Sequence, residues 1–323
     1  MEEELLNSAK EIDNLPKTGR NIRKRKKLIG ELGAKYIKNL KNLKFTEDEH
    51  NIIQNIISKY EGEYDEAMEN SIKSYFDTIY INCQYEFYNK SKGVQAGKIA
   101  KIIDSKNNII FYYVKTHQHG GTSTISTKQP LDIKELFIYK LLESLGIGSE
   151  VHWFEPEILE NSIYIATKGL NSNCINQDKE VVKLDIITRI LTLDDVMSNK
   201  TNILQHDDKK GYIIDFRIQK ITRLSNAYIY NKVYESFLNG NTSINYSYDE
   251  YFEQVMSPAN NENKIRWLEE IINTELIDFK KKVDNVYEKI KDDNLVKRYD
   301  NTDLLCYIEN IKENYDSISK MGK

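Results

Sequence analysis

The chain has 323 residues, 40% hydrophobic and 30% charged, with a net charge of −4. That is enough apolar material for a large core, and it excludes wholesale disorder. The slight acidity lacks the marked basic excess of most nucleic-acid binders, so nucleic acid is not an expected partner.

Three widely spaced cysteines, Cys83, Cys174 and Cys306, form no CxxC pair. They read as reduced, mostly buried thiols rather than as a disulfide framework or zinc site. The opening MEEELLNSAKEIDN is charged and amphipathic, and no later stretch is apolar enough to span a bilayer. A cytoplasmic protein without a transmembrane segment is the expectation.

In chain order, the first eighty or so residues carry a helical pattern. Ile52, Ile53, Ile56 and Ile57 follow Thr46, which is placed to cap a helix opening on Glu47, Asp48 and Glu49. A basic run from Lys17 and Arg20 through Arg23 to Lys27 lies ahead of it. A solvated helix face beside acidic neighbours explains such a run more simply than an anionic lipid, RNA or protein partner. Near Gly93 the pattern changes. Ile99, Ile102 and Ile103, a polar turn at 104–108, and the apolar run 109–114 predict two antiparallel strands. A Gly- and hydroxyl-rich loop follows at 117–130, then a helix from about Asp132 to Leu145 stopped by Gly146 and Gly148. Residues 162–167 read as a strand, 181–193 as a helix, and 211–216 as a short strand after a polar loop. The remainder reads as amphipathic helices, on which Trp267, Ile271, Leu276, Phe279, Val283, Val286 and Ile290 recur at packing intervals. The class is α+β.

The residues with chemistry to offer fall on these elements in a definite order. Lys115 ends the apolar strand 109–114, so a rigid element holds its ammonium. Glu135 opens the next helix, with Ile138, Leu142 and Leu145 at +3, +7 and +10, which places its carboxylate on or beside the buried stripe. An acid there needs a cation, and Lys115 is a natural partner. Asp194, Asp195, Asn199 and Asn202 lie in one polar loop, and Asp215 ends the strand after it. Such acids and amides are hard oxygen ligands of the kind that hold Mg2+ against phosphates, and one carboxylate of the loop could orient or deprotonate a hydroxyl. His152 and His206 stand alone, and no nucleophile–histidine–acid set can be assembled.

From about Gly93 to Arg217 this order resembles the protein-kinase-like superfamily. Tyr113-Val114-Lys115 is similar to the strand bearing the phosphate-binding lysine, and Glu135 to its helix partner. Ile213-Ile214-Asp215-Phe216 is similar to the strand end with the metal-binding aspartate, and Asn202-Ile203-Leu204 to the tail of the catalytic loop. The resemblance implies a bilobal fold: an N-terminal helical extension over 1–88, a small antiparallel-sheet lobe with one inserted helix over 89–170, and a helical lobe over 171–323. It also implies ATP and Mg2+ as cofactors. Lys115, Glu135, Gly120 and Gly121 would bind the nucleotide, Asp195 or Asp194 would be catalytic, and Asn202, Asp215 or Asn199 would hold the metal.

The departures are specific. No His-Arg-Asp triplet occurs, and Arg217 stands where kinases usually have glycine. Asp194 has the usual gap to Asn199, but the apolar pair expected after the asparagine follows Asn202. Three arrangements stay open: Asp195 with Asn202 and an insertion, which is preferred, Asp194 with Asn199, or a degenerate loop. Gly93 and Gly97 do not make a GxGxxG spacing, and the 117–127 loop serves equally as a phosphate cover or as a connection. The expected function is therefore ATP- and Mg2+-dependent phosphoryl transfer to a hydroxyl of a protein or small molecule. The alternatives are an inactive pseudokinase that binds nucleotide or scaffolds protein partners through its terminal helices, and nucleotidyl transfer on the same scaffold.

Overall fold

A computed structural model describes residues 2–15, 21–39, 44–89, 95–120, 132–155, 163–170, 172–173, 177–196, 202–219, 223, 237–238, 260–298 and 302–321. The chain divides into two compact units, Met1–Leu131 with His152–Gly169, and Asp132–Val151 with Leu170–Lys323.

The first unit opens with helices α1 (Glu2–Asn14), α2 (Asn21–Asn39) and α3 (Glu47–Phe76). Leu5, Ala9 and Ile12 of α1, Ile29, Leu32 and Tyr36 of α2, and Ile53 and Ile56 of α3 share one apolar core. Thr46 starts α3 with a capping box: its hydroxyl accepts from the Glu49 N–H at 3.3 Å, and the Glu49 carboxylate accepts from the Thr46 N–H at 2.7 Å. This cap stabilises the helix by about 1 kcal/mol. Ile52, read as part of the apolar stripe, is instead exposed, because it lies one position off the core-facing 53/56 row. Part of the basic segment is consumed inside this unit. Arg25 is buried and donates to the Ile12 carbonyl at 2.7 Å, near the end of α1. Lys24 pairs with Glu11 at 3.3 Å and Lys35 with Glu4 at 2.8 Å.

The rest of this unit is built on a five-stranded sheet of β1 (Gln84–Asn89), β2 (Gln95–Ile103), β3 (Ile109–Gly120), β4 (Val151–Phe154) and β5 (Tyr164–Lys168), in the order β1-β2-β3-β5-β4. The β1–β2, β2–β3 and β3–β5 pairs are antiparallel. Asp104 closes the β2–β3 turn by accepting from the N–H groups of Lys106 and Asn108, both at 2.8 Å. Strand alternation gives the sheet two faces. Met68, Ile72 and Phe76 of α3 cover the one formed by Ala100, Ile102, Tyr112 and Val114. Phe111, Tyr113 and Lys115 belong to the other, where Phe111 and Tyr113 are exposed. His152 is a packing residue. Its Nδ1 lies 3.1 Å from the Tyr75 hydroxyl, and its ring sits edge-on to Phe76 and Tyr112.

The second unit contains α4 (Ile133–Leu145), β6 (Ser172–Asn173), α5 (Asp178–Ile190), β7 (Leu193–Asp194), β8 (Ile203–His206), β9 (Gly211–Ile213), β10 (Arg217–Ile218), α6 (Asn261–Glu270), α7 (Phe279–Ile290) and α8 (Thr302–Ile318). Asp132 caps α4 by accepting from the Lys134 N–H, and Gly146 ends it in the left-handed region at φ 74°. This helix is apolar nearly all round and packs on α7 and α8. A helix with no polar face requires neighbours on several sides. α6 runs into a π turn, Ile271–Glu275.

The α+β expectation holds: helices and an antiparallel sheet coexist. The cysteine expectation needs correcting. Cys306 is exposed and Cys83 half-buried, with free thiols, because Cys306 falls outside the buried positions of α8, Leu304, Tyr307 and Ile308. Cys174 lies outside the described residues. Among the described residues, no helix is long and apolar enough to cross a membrane.

Candidate functional site

The acid-bearing loop begins where α5 ends. Helix C-termini leave carbonyls without intrahelical donors, and α8 supplies donors here. Asn314, fully buried, donates to the Ile190 carbonyl at 3.1 Å, and the buried Tyr307 hydroxyl donates to the Leu191 carbonyl at 2.5 Å. The chain then turns through Thr192 at φ 50°, a conformation that a β-branched residue adopts only at a cost of about 1–3 kcal/mol. The Gln219 N–H donates to the Thr192 carbonyl at 3.0 Å and its side chain to the Leu193 carbonyl at 3.3 Å. Two-residue strands β7 and β10 pair antiparallel, with Arg217 opposite Asp194 and Ile218 opposite Leu193. Asp194 and Asp195 therefore leave a braced turn.

Asp195 is also left-handed, at φ 62°. Asp tolerates that region better than most residues. One side chain ties its backbone to the second acidic segment. Asn202 is buried, and its Nδ2 donates to the Asp195 carbonyl at 2.5 Å. The Asn202 carbonyl in turn accepts from the Ile214 N–H at 2.9 Å, directly before Asp215. The β8–β9 hairpin aligns this second segment, with Ile203 opposite Ile213, and the Ile213 N–H donates to Ile147 at 2.8 Å. Phe216 is buried against the Tyr139 ring, with centroids 4.6 Å apart, while Asp215 beside it is exposed. An exposed acid between two anchored apolar residues is presented by rigid backbone rather than by a loose loop.

Charge accumulates at this point. Burial pushes the Asp195 carboxyl above the usual carboxylate range, Arg217 pulls it down, and the negative charges of Asp215 and Asp194 raise it again. Arg217 Nε stands 3.8 Å from Asp195 Oδ2, too far for a hydrogen bond, and its side chain is 71% exposed against 24% for Asp195.

This unit thus brings together Asp194, Asp195, Asn202 and Asp215. Glu135 lies half-buried in the first turn of α4. In the other unit, Lys115 is half-buried on β3, opposite Gly97 on β2 and Ile165 on β5, and Gly120 ends β3 opposite Gln95. Gly121, Asn199 and Gly93 lie outside the described residues. Sequence reasoning missed Gln219, Tyr307 and Asn314, which hold the acidic turn from behind. For Asn314 a signal existed: a polar residue three after Ile311 and four before Ile318, on the buried row of an amphipathic helix.

Among the described residues, no group of three or more His, Cys, Asp or Glu is placed to hold a metal ion. Carboxylates and amide oxygens are the hard donors that Mg2+ accepts, and that ion usually takes most of its shell from phosphate and water.

Neither protein-family models nor curated proteins match the sequence. Among solved structures, a MAP kinase from Leishmania major is similar over 80% of this chain and 85% of its own, at 12% identity and a TM-score of 0.28. An overlap that low carries no argument about fold or chemistry.

Proposed function

We propose that the chain is a divergent kinase-like phosphotransferase that uses ATP and Mg2+ and acts on a hydroxyl. The observation that carries this reading is Asn202, one buried side chain and backbone locking the Asp195 and Asp215 segments to each other. Support also comes from element order: a helix follows the third strand of a five-stranded sheet, and an acid follows the β8–β9 hairpin. Asp195 orients the acceptor hydroxyl and takes its proton, a role suited by a carboxyl held above its ordinary range. Asn202 and Asp215 would hold Mg2+, which when bound neutralises phosphate charge. Lys115, Glu135, Gly120 and Gly121 are assigned to nucleotide binding on the strength of their sequence positions. Catalysis is then positioning and charge stabilisation, with no covalent enzyme intermediate.

Calorimetric titration with MgATP, followed by product analysis, tests this. The wild type should bind nucleotide and release ADP. Asp195→Asn should keep binding and lose about 10²–10⁴-fold in turnover. Lys115→Ala and Asp215→Ala should weaken binding. Absence of nucleotide binding would defeat the proposal, and pyrophosphate as product would mean nucleotidyl transfer. A second reading, an inactive nucleotide-binding or protein-interaction scaffold, is favoured by the Arg217 guanidinium beside Asp195. Binding without turnover would select it.

A further inference from the structure

A cavity of about 130 Å3 lies between the end of α4, the middle of α5 and the π turn that follows α6, all within the second unit. Leu145, Ile187 and Leu276 give it an apolar wall, and Lys183, Lys210 and Glu275 bring charge to it. Cavities of about 150 Å3 admit one molecule the size of benzene. Gly146 borders the space, and a Cβ there would meet nothing within 4 Å. Lys183 is buried, and its ammonium pairs with Glu180 at 2.5 Å and with Glu275 at 3.3 Å. The two carboxylates are not held alike. Glu180 is mostly buried and also accepts from the Gly211 N–H at 2.8 Å. Glu275 is 36% exposed, ends the π turn, and has Lys179 as a second partner at 3.6 Å. Such turns are rare, and they concentrate at functional sites.

We propose that this cavity binds a small monocarboxylate with a short apolar tail, whose carboxylate takes the place of Glu275 on Lys183. Lys179 retains Glu275 after the exchange, so neither charge is orphaned. Lys210 supplies a second, more exposed cation for the head group. The tail lies against Leu145, Ile187 and Leu276. A dianionic phosphate is disfavoured, because Glu180 and Glu275 both stay close to the same ammonium. The cavity wall is also tied to both ends of β9. The Ile213 N–H donates to the carbonyl of Ile147, a wall residue, and Gly211 shares Glu180 with Lys183. Binding here does not depend on the phosphotransferase reading.

NMR titration of the full chain with sodium butanoate tests this, with butylammonium and butan-1-ol as probes of similar size and different charge. Butanoate should bind in about the millimolar range, which suits a ligand of that size. It should bind about tenfold more tightly than either of the others, the worth of one charge-assisted hydrogen bond. The backbone amide signals of Gly211 and Ile213 should shift with the same dissociation constant. Glu275→Gln should tighten butanoate about two- to fivefold by weakening the competitor, and Lys210→Gln should weaken it about two- to threefold. Lys183→Met should abolish binding; if that variant does not fold, Glu275→Gln and the comparison of ligand charge still decide. Absence of butanoate binding overturns the proposal, as does equal binding of the three compounds. Unmoved Gly211 and Ile213 signals, or Glu275→Gln binding no more tightly than wild type, overturn it too.

Discussion

Asp195 bears three unfavourable conditions at once: a left-handed backbone, partial burial, and the charges of Asp194 and Asp215 nearby. Among the described residues, Arg217 pulls in the opposite direction to the last two. Because the folded-state carboxyl is held above its unfolded value, its contribution to stability is fully present below the unfolded aspartate pKa of about 3.9 and is lost as pH rises through the raised value. Asp195→Asn removes that loss. Its urea midpoint should exceed the wild type's at pH 7, and the two should converge below about pH 4. A variant less stable than wild type at neutral pH would contradict the burial argument. Loss of turnover with a gain in stability is the expected mark of a residue kept for chemistry. Its candidacy was legible, since two adjacent acids before Asn202 are visible in sequence. Its backbone conformation and its guanidinium neighbour were not, because β7 and β10 are two residues each and lie 24 positions apart.

At the scale of elements, local signals predicted boundaries well wherever a terminus has its own chemistry. Thr46 with Glu49, Asp132, and Gly146 each do what their residue types suggest. The two glycines after α4 nevertheless have different reasons to be glycine. Gly146 needs its left-handed φ of 74°, and a Cβ there would meet nothing within 4 Å. At Gly148 a Cβ would lie 2.6 Å from Leu142 Cβ and 2.9 Å from the Glu143 nitrogen. Gly146→Ala should therefore cost about 1 kcal/mol from backbone strain alone. Gly148→Ala should cost more, about 2–3 kcal/mol, because backbone must shift. Denaturant unfolding of both variants checks the order, and a smaller cost at Gly148 would refute the packing argument. Some elements escaped sequence reading altogether. β1, β4 and β8 are only four to six residues long, and β1 and β8 alternate half-buried with exposed or buried positions. Their pairing partners, rather than their own composition, make them strands.

At the scale of the molecule, α3 is the element that makes the first unit a single body. Its N-terminal half completes the helical core through Ile53 and Ile56, and its C-terminal half covers the sheet through Met68, Ile72 and Phe76. Phe76 is fully buried, and its ring centroid is 4.3 Å from that of Tyr112. Phe76→Ala should cost about 3–5 kcal/mol of that unit's stability. Scanning calorimetry should show the loss as a lower-temperature transition, with the heat absorbed by the helical second unit unchanged. A uniform shift of one cooperative transition would mean that the two units unfold as one.

The sequence by itself determined the longer helices and strands, where helices are capped, and which acids and amides could bear chemistry. Those properties depend on hydrophobic period, capping groups and side-chain type, all of which are local. Only the tertiary structure decided that Asn202 joins the Asp195 and Asp215 segments, that Arg217 stands over Asp195, and that Tyr307 and Asn314 brace the turn from more than a hundred residues away. These depend on buried polar groups finding partners across the fold. No local pattern encodes such a partnership, because each group records only that it needs a partner and not which one it will meet.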